Sequence, residues 1–151
     1  MYKKILVPID GSATATRGLT EALGLARDVK ADLCLLYVAD QFPMMFEFSG
    51  MSAYNDLRNA LHERGNQALD QAKAAADAQG VHTESVFKEV VNQPVGTVIV
   101  DEAIRLGCDL IVMGTHGRRG MSHLVLGSDA EAVLKSTPVP VLLVRAPGTA
   151  S

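Results

Sequence analysis

Five short strand-like runs, separated by stretches in which apolar residues recur at three- and four-residue steps, leave this chain very few folds to adopt. The first run, Ile5-Leu6-Val7-Pro8-Ile9 within residues 3–10, is too uniformly apolar for a strand with one wet face. It reads as a central strand buried on both sides, ending at Asp10-Gly11-Ser12. Leu19, Ala22, Leu23, Ala26 and Val29 then mark the buried stripe of a helix, and Leu33 to Val38 form a second buried strand. Leu57, Leu61, Ala68, Leu69, Ala72 and Ala76 trace a second helix over residues 52–79, closed by Gly80. Ser85 to Val91 mixes Val86, Phe87 and Val90 with Lys88 and Glu89, the pattern of an edge strand. Pro94 opens a third helix through Val95, Val98, Ile99, Ala103 and Ile104, ending near Gly107. Leu110 to Met113 is a wholly apolar fourth strand, followed by a loop and a helix from Ser128 to Lys135. The last strand, Val139 to Val144, carries Pro140, which has no N–H for a ladder and so marks the opposite edge.

Each parallel crossover needs a connecting helix and is right-handed, so this alternation predicts an α/β fold: an open, five-stranded parallel sheet with helices on both faces. In such sheets ligands sit beyond the carboxyl ends of the strands, where strand order reverses. With the first strand central, that point falls between it and the fourth. These two strands end at Asp10 and Gly114, where the sequence turns rich in glycine and polar residues.

A chain of 151 residues fits one domain, expected over residues 1–146 with a flexible tail at 147–151. Charged residues at 21% and apolar residues at 48% exclude a disordered chain. The apolar runs are far shorter than the ~20 residues of a membrane span. Met1-Tyr2-Lys3-Lys4 leads straight into the first strand without a signal-peptide pattern. Cys34 and Cys108 match no metal or CxxC spacing and read as buried free thiols. Both features point to the cytoplasm. A net charge of -3 gives no general attraction to nucleic acid or to an anionic membrane. The histidines, His62, His82, His116 and His123, form no ligand set for a metal held by protein alone, and surface positions suffice for His62 and His82. Phe42, Met44, Met45, Phe46, Phe48 and Met51 crowd one short segment after the second strand, suited to a core flap, a cover for a ligand or a partner contact.

The stretch from Gly114 to Ser128 has glycines where a strand ends and again where a helix begins. Glycine lets backbone N–H groups approach an anion and form a concave nest of donors. Ser128 with Glu131 has the capping-box pattern, which would aim the positive end of the last helix at the same place. Arg118 and Arg119 add charge and His116 a pH-dependent donor. The loop is neither GxxxxGK[ST] nor GxGxxG. Taken residue by residue, the reading as turn glycines and a simple helix cap wins over an anion site.

Gly114, Gly117, Gly127 and Ser128 have the spacing G-x2-G-x9-G-[ST], which resembles the ATP-binding branch of the universal stress protein family. The resemblance extends over Lys4 to Ser12, Leu35 to Val38, Cys108 to Gly117 and Pro138 to Val144, in effect the whole chain. It implies a Rossmann-like sheet of the adenine nucleotide alpha hydrolase-like kind in the order 3-2-1-4-5, consistent with the two edges read above. It implies ATP as ligand, with Mg2+ or Mn2+ bridged by its phosphates near Asp10, and Pro8 and Ile9 lining the pocket. Val38 would meet the adenine edge through its backbone and Met113 would pack beside the nucleoside. Gly114, Gly117, Gly127 and Ser128 would hold ribose and phosphates, with Thr115, His116, Arg118, Arg119 and Asp129 nearby. The bland roles are a turn or helix cap for Asp10 and core packing for Val38 and Met113. Asp129 departs from the family, which often has an apolar residue there; the two arginines or a metal ion would offset its carboxylate. The resemblance further implies a homodimer, for which the edge strand Val139 to Val144 is the natural contact. The expected function is an ATP-binding regulatory or signalling module of the stress response. The alternatives are a slow metal-dependent ATP hydrolase or phosphotransferase, and a dimeric interaction protein without nucleotide.

Overall fold

A computed structural model describes residues 1–40, 50–116 and 126–145 of the chain. The Phe/Met-rich stretch up to Ser49, the loop residues Gly117, Arg118 and Arg119 together with His123, and the tail at 147–151 lie outside the described residues.

The elements alternate as expected: β1 (Lys4–Pro8), α1 (Ala13–Val29), β2 (Asp32–Asp40), α2 (Met51–Ala78), β3 (Thr83–Val90), α3 (Val95–Arg105), β4 (Leu110–Gly114), α4 (Ser128–Ser136) and β5 (Val141–Val144). The strands form one sheet in the order β3-β2-β1-β4-β5, every pair parallel. Strand order therefore reverses between β1 and β4, as the sequence predicts.

The two-residue period of the strands divides the core into two layers. Ile5 and Val7 of β1, Leu33, Leu35 and Tyr37 of β2, and Leu110 and Val112 of β4 face one side, where Leu19, Ala22 and Leu23 of α1 and Leu69, Ala72 and Ala76 of α2 cover them. Leu6, Cys34, Leu36, Val38, Ile111 and Met113 face the other, under Val98, Ile99 and Ala103 of α3 and Ala130 and Val133 of α4. Burial on both faces explains why the central strands read as continuous apolar runs.

Several boundaries shift for local reasons. Pro94 is the N-cap of α3 with extended backbone (φ -62, ψ 131), rather than its first helical residue. β5 begins at Val141, so Pro140 stands just ahead of the ladder, where its carbonyl still accepts the Ile111 N–H at 3.0 Å. His62 is half-buried rather than a plain surface residue: its ring centroid lies 4.9 Å from that of Phe87, and it pairs with Glu89. Burial raises the Glu89 pKa, but hydrogen bonds from Arg58 and His62 outweigh it and hold the carboxyl below its usual range. α2 can lie on the stacked rings of Tyr37 and Phe87 only because Gly65 has no side chain. A Cβ there would come 2.5 Å from Phe87 Cε2 and 2.7 Å from Tyr37 Cε1.

Cys34 and Cys108 are buried free thiols. A hydrogen bond between them, together with burial, pushes the Cys108 pKa up. Among the described residues no helix is long and apolar enough to cross a membrane.

Candidate functional site

The chain turns differently at the two strand ends that flank the reversal. Ile9 continues the β1 pairing one residue past the strand, its N–H donating to Leu36 O at 2.7 Å. The Asp10 carboxylate accepts the Ser12 N–H at 2.8 Å, and Gly11 takes a left-handed φ of 82 that glycine adopts without strain. Ser12 Oγ then accepts the Ala15 N–H at 3.0 Å, capping α1. Asp10 thus does have its bland turn role, and that turn fixes where its carboxylate stands.

At the end of β4, Thr115 donates its N–H to Val144 O at 3.0 Å and accepts the Gly127 N–H on its carbonyl at 2.7 Å. The chain that leaves the strand at Thr115 is therefore back against it at Gly127. Thr115 Oγ1 also lies 3.1 Å from His116 Nδ1. α4 starts at Ser128, with Gly127 as N-cap in extended conformation (φ -64, ψ 157) and no side-chain cap bond. The capping box expected of Ser128 and Glu131 does not form, because the tether to Thr115 O holds Gly127 in the cap position and makes Ser128 the first helical residue. Asp129 and Glu131 lie in the first turn, where the helix dipole favours carboxylates.

These turns surround a cleft of about 790 Å³ at the carboxyl end of the sheet. Pro8, Ile9 and Asp10 come to it from β1, Val38 from β2, Met113, Gly114, Thr115 and His116 from β4, and Gly127, Ser128 and Asp129 from the start of α4. All the described residues singled out in the sequence meet here. Val38 and Met113, at 8% and 6% exposure, are both core residues and cleft wall. Asp10, Asp40 and Asp129 bring three carboxylates, while the described lining residues include no lysine or arginine.

The cleft also has a wall that the sequence reading missed: Gln93, Pro94, Val95 and Gly96 at the start of α3, with Asp40 at the end of β2. The end of β3 is two strands away from β1, so nothing in strand order alone brings it to the reversal. One signal was present. A glycine in the first turn of a predicted helix is costly there and calls for a packing reason.

A sequence profile described as the universal stress protein family matches residues 1–145. The chain belongs to this family. Among its curated relatives, universal stress protein MJ0531 of Methanocaldococcus jannaschii is 36% identical over 97% of this chain and 84% of its own length. The solved structure of MJ0577 from the same organism superposes with a TM-score of 0.80 at 31% identity, covering 96% of each chain. A universal stress protein crystallised with cAMP superposes with a TM-score of 0.66 at 25% identity, over 96% of this chain and 98% of that one. Membership accounts for the 3-2-1-4-5 sheet and for the sequence blocks that run through the whole chain.

Proposed function

We propose that this universal stress protein is an ATP-binding regulatory module of the stress response, and that its cleft takes the nucleotide with a divalent cation on the phosphates. One observation carries this reading: residues scattered from Pro8 to Asp129, and singled out independently of any structure, line one cleft at the reversal of the sheet. Its volume of about 790 Å³ suits a ligand of nucleotide size. The cAMP complex of a relative supports an adenine nucleotide in particular. Among the described residues no cluster of three or more metal-ligating side chains occurs, so Mg2+ or Mn2+ would rely on the phosphates, beside Asp10.

Titrating the purified protein with ATP, AMP and cAMP, with and without Mg2+, tests this. At a hundredfold excess over Kd, a ligand adds about 2.7 kcal/mol and is expected to raise Tm by about 5–10 °C. No shift with any of the three sinks the reading. Rapid magnesium-dependent turnover, lost in Asp10→Ala with binding kept, replaces it with the hydrolase.

The same reading includes a cytoplasmic homodimer joined through the edge strand β5. The two buried free thiols support a reducing compartment. Leu142 on β5, at 42% exposure, supports an apolar contact at that edge. Leu142→Arg is expected to weaken the dimer about tenfold or more, read by sedimentation velocity. A wild-type protein that stays monomeric at high concentration contradicts the dimer.

A further inference from the structure

We propose that Gly96 is a positioning residue: it sets how closely α3 lies against the first turn of α4, and so gives the cleft its preference for phosphorylated over unphosphorylated nucleosides. The inference rests on the nucleotide reading above, but Gly96 plays no part in that reading. It is buried near the start of α3, where alanine would favour the helix more. Its backbone is not among those with positive φ, so conformation does not call for glycine. Space does. A Cβ at Gly96 would stand 2.5 Å from Ala132 Cβ, 2.8 Å from the Asp129 carbonyl oxygen and 3.3 Å from Val133 N.

None of these atoms is the yielding end of a long side chain. Two are backbone atoms of α4 and the third is fixed directly to it, so any added carbon must push the two helices apart. The other side of α4 is tethered, since Gly127 donates to Thr115 O at 2.7 Å. Pressed at Asp129 and held at Gly127, the helix start must tilt against β4. The first-turn N–H groups of α4, whose N-cap Gly127 brings no side chain over them, are the donors that would meet an anionic group in the cleft. Hydrogen bonds to phosphate weaken steeply with distance and angle, so a tilt of this kind removes phosphate affinity first. The walls from Leu36, Val38 and Met113 belong to the sheet and stay in place, so contacts to an unphosphorylated nucleoside persist.

Calorimetric titration with adenosine and with AMP tests this in wild type, Gly96→Ala, the double variant Gly96→Ala/Ala132→Gly and Gly65→Ala. All are measured below their own melting temperatures. Gly65→Ala is an overpacked variant of α2 away from the cleft, and it controls for loss of stability as such. Wild type is expected to bind AMP at least about tenfold more tightly than adenosine, and Gly65→Ala to keep that ratio. In Gly96→Ala the ratio is expected to fall to about threefold or less, with adenosine affinity changed by no more than about twofold. The double variant loses the Ala132 clash but keeps the one with Asp129 O, so its ratio falls between the two. It also decides the matter if Gly96→Ala alone does not fold. A wild-type ratio in whichever variant folds, or an equal loss of adenosine and AMP affinity, overturns the inference. So does a wild type that binds both ligands equally well. A wild type that binds neither overturns the inference as well; only where ATP and cAMP also fail to bind does the nucleotide reading itself fall, which is a separate outcome.

Discussion

Gly114→Val is expected to cost about 3 kcal/mol of stability, lowering Tm by about 6–12 °C in a thermal melt, with Gly114→Ala costing about 2 kcal/mol. Gly114 ends β4 and is buried, and a Cβ on it would stand 3.0 Å from Thr14 Cβ and 3.1 Å from the Thr14 carbonyl carbon. Four residues along the same helix, Gly18 repeats the approach: its Cβ would lie 3.5 Å from Gly114 N. Two glycines thus let the first turns of α1 press directly against the end of β4. A valine must either lift the start of α1 or bend the strand, and both movements disturb the turn from Asp10 to Ser12 that enters α1. Melting within about 1 °C of wild type would show that this approach has more slack than the contacts imply.

Gly114 also shows how far the sequence could be read. Its place in the G-x2-G-x9-G-[ST] spacing was legible, and so was the conclusion that glycine is required there. The reason was not. The sequence suggested backbone exposed to an anion, whereas the structure supplies helix-on-strand packing with Thr14, a contact between segments a hundred residues apart. The same division runs through the molecule. The sheet order and its two edges were readable, because burial on both faces leaves unbroken apolar runs in the centre while Lys88, Glu89 and Pro140 mark the margins. The wall from Gln93 to Gly96 was not, because it depends on how α3 crosses α4, and crossing distance is set by side chains facing each other across the contact. The missing capping box has a similar origin: a local pattern at Ser128 yielded to the tertiary hydrogen bond from Gly127 to Thr115 O.

Gly127→Val is expected to separate binding from folding. It should lower AMP and ATP affinity about a hundredfold, a change of roughly 2.8 kcal/mol, while moving Tm by no more than about 4 °C. Gly127 has an extended backbone (φ -64, ψ 157) that valine adopts readily, so the substitution stores no backbone strain. As N-cap without a side-chain bond, Gly127 contributes no cap interaction to lose, and a β-branched replacement costs about 1 kcal/mol at most. What changes is the space in front of α4. Gly127 is a buried residue of the cleft wall, immediately before the helix start, and a valine there occupies volume that a phosphate needs beside the first-turn N–H groups. Its N–H remains tied to Thr115 O, so the side chain cannot be accommodated by swinging the cap away. Adenosine affinity should fall much less than AMP affinity, since the sheet residues Leu36, Val38 and Met113 are untouched. If AMP binds Gly127→Val as tightly as wild type and the melts coincide, the phosphate does not sit at the start of α4, and the glycine spacing there serves packing alone.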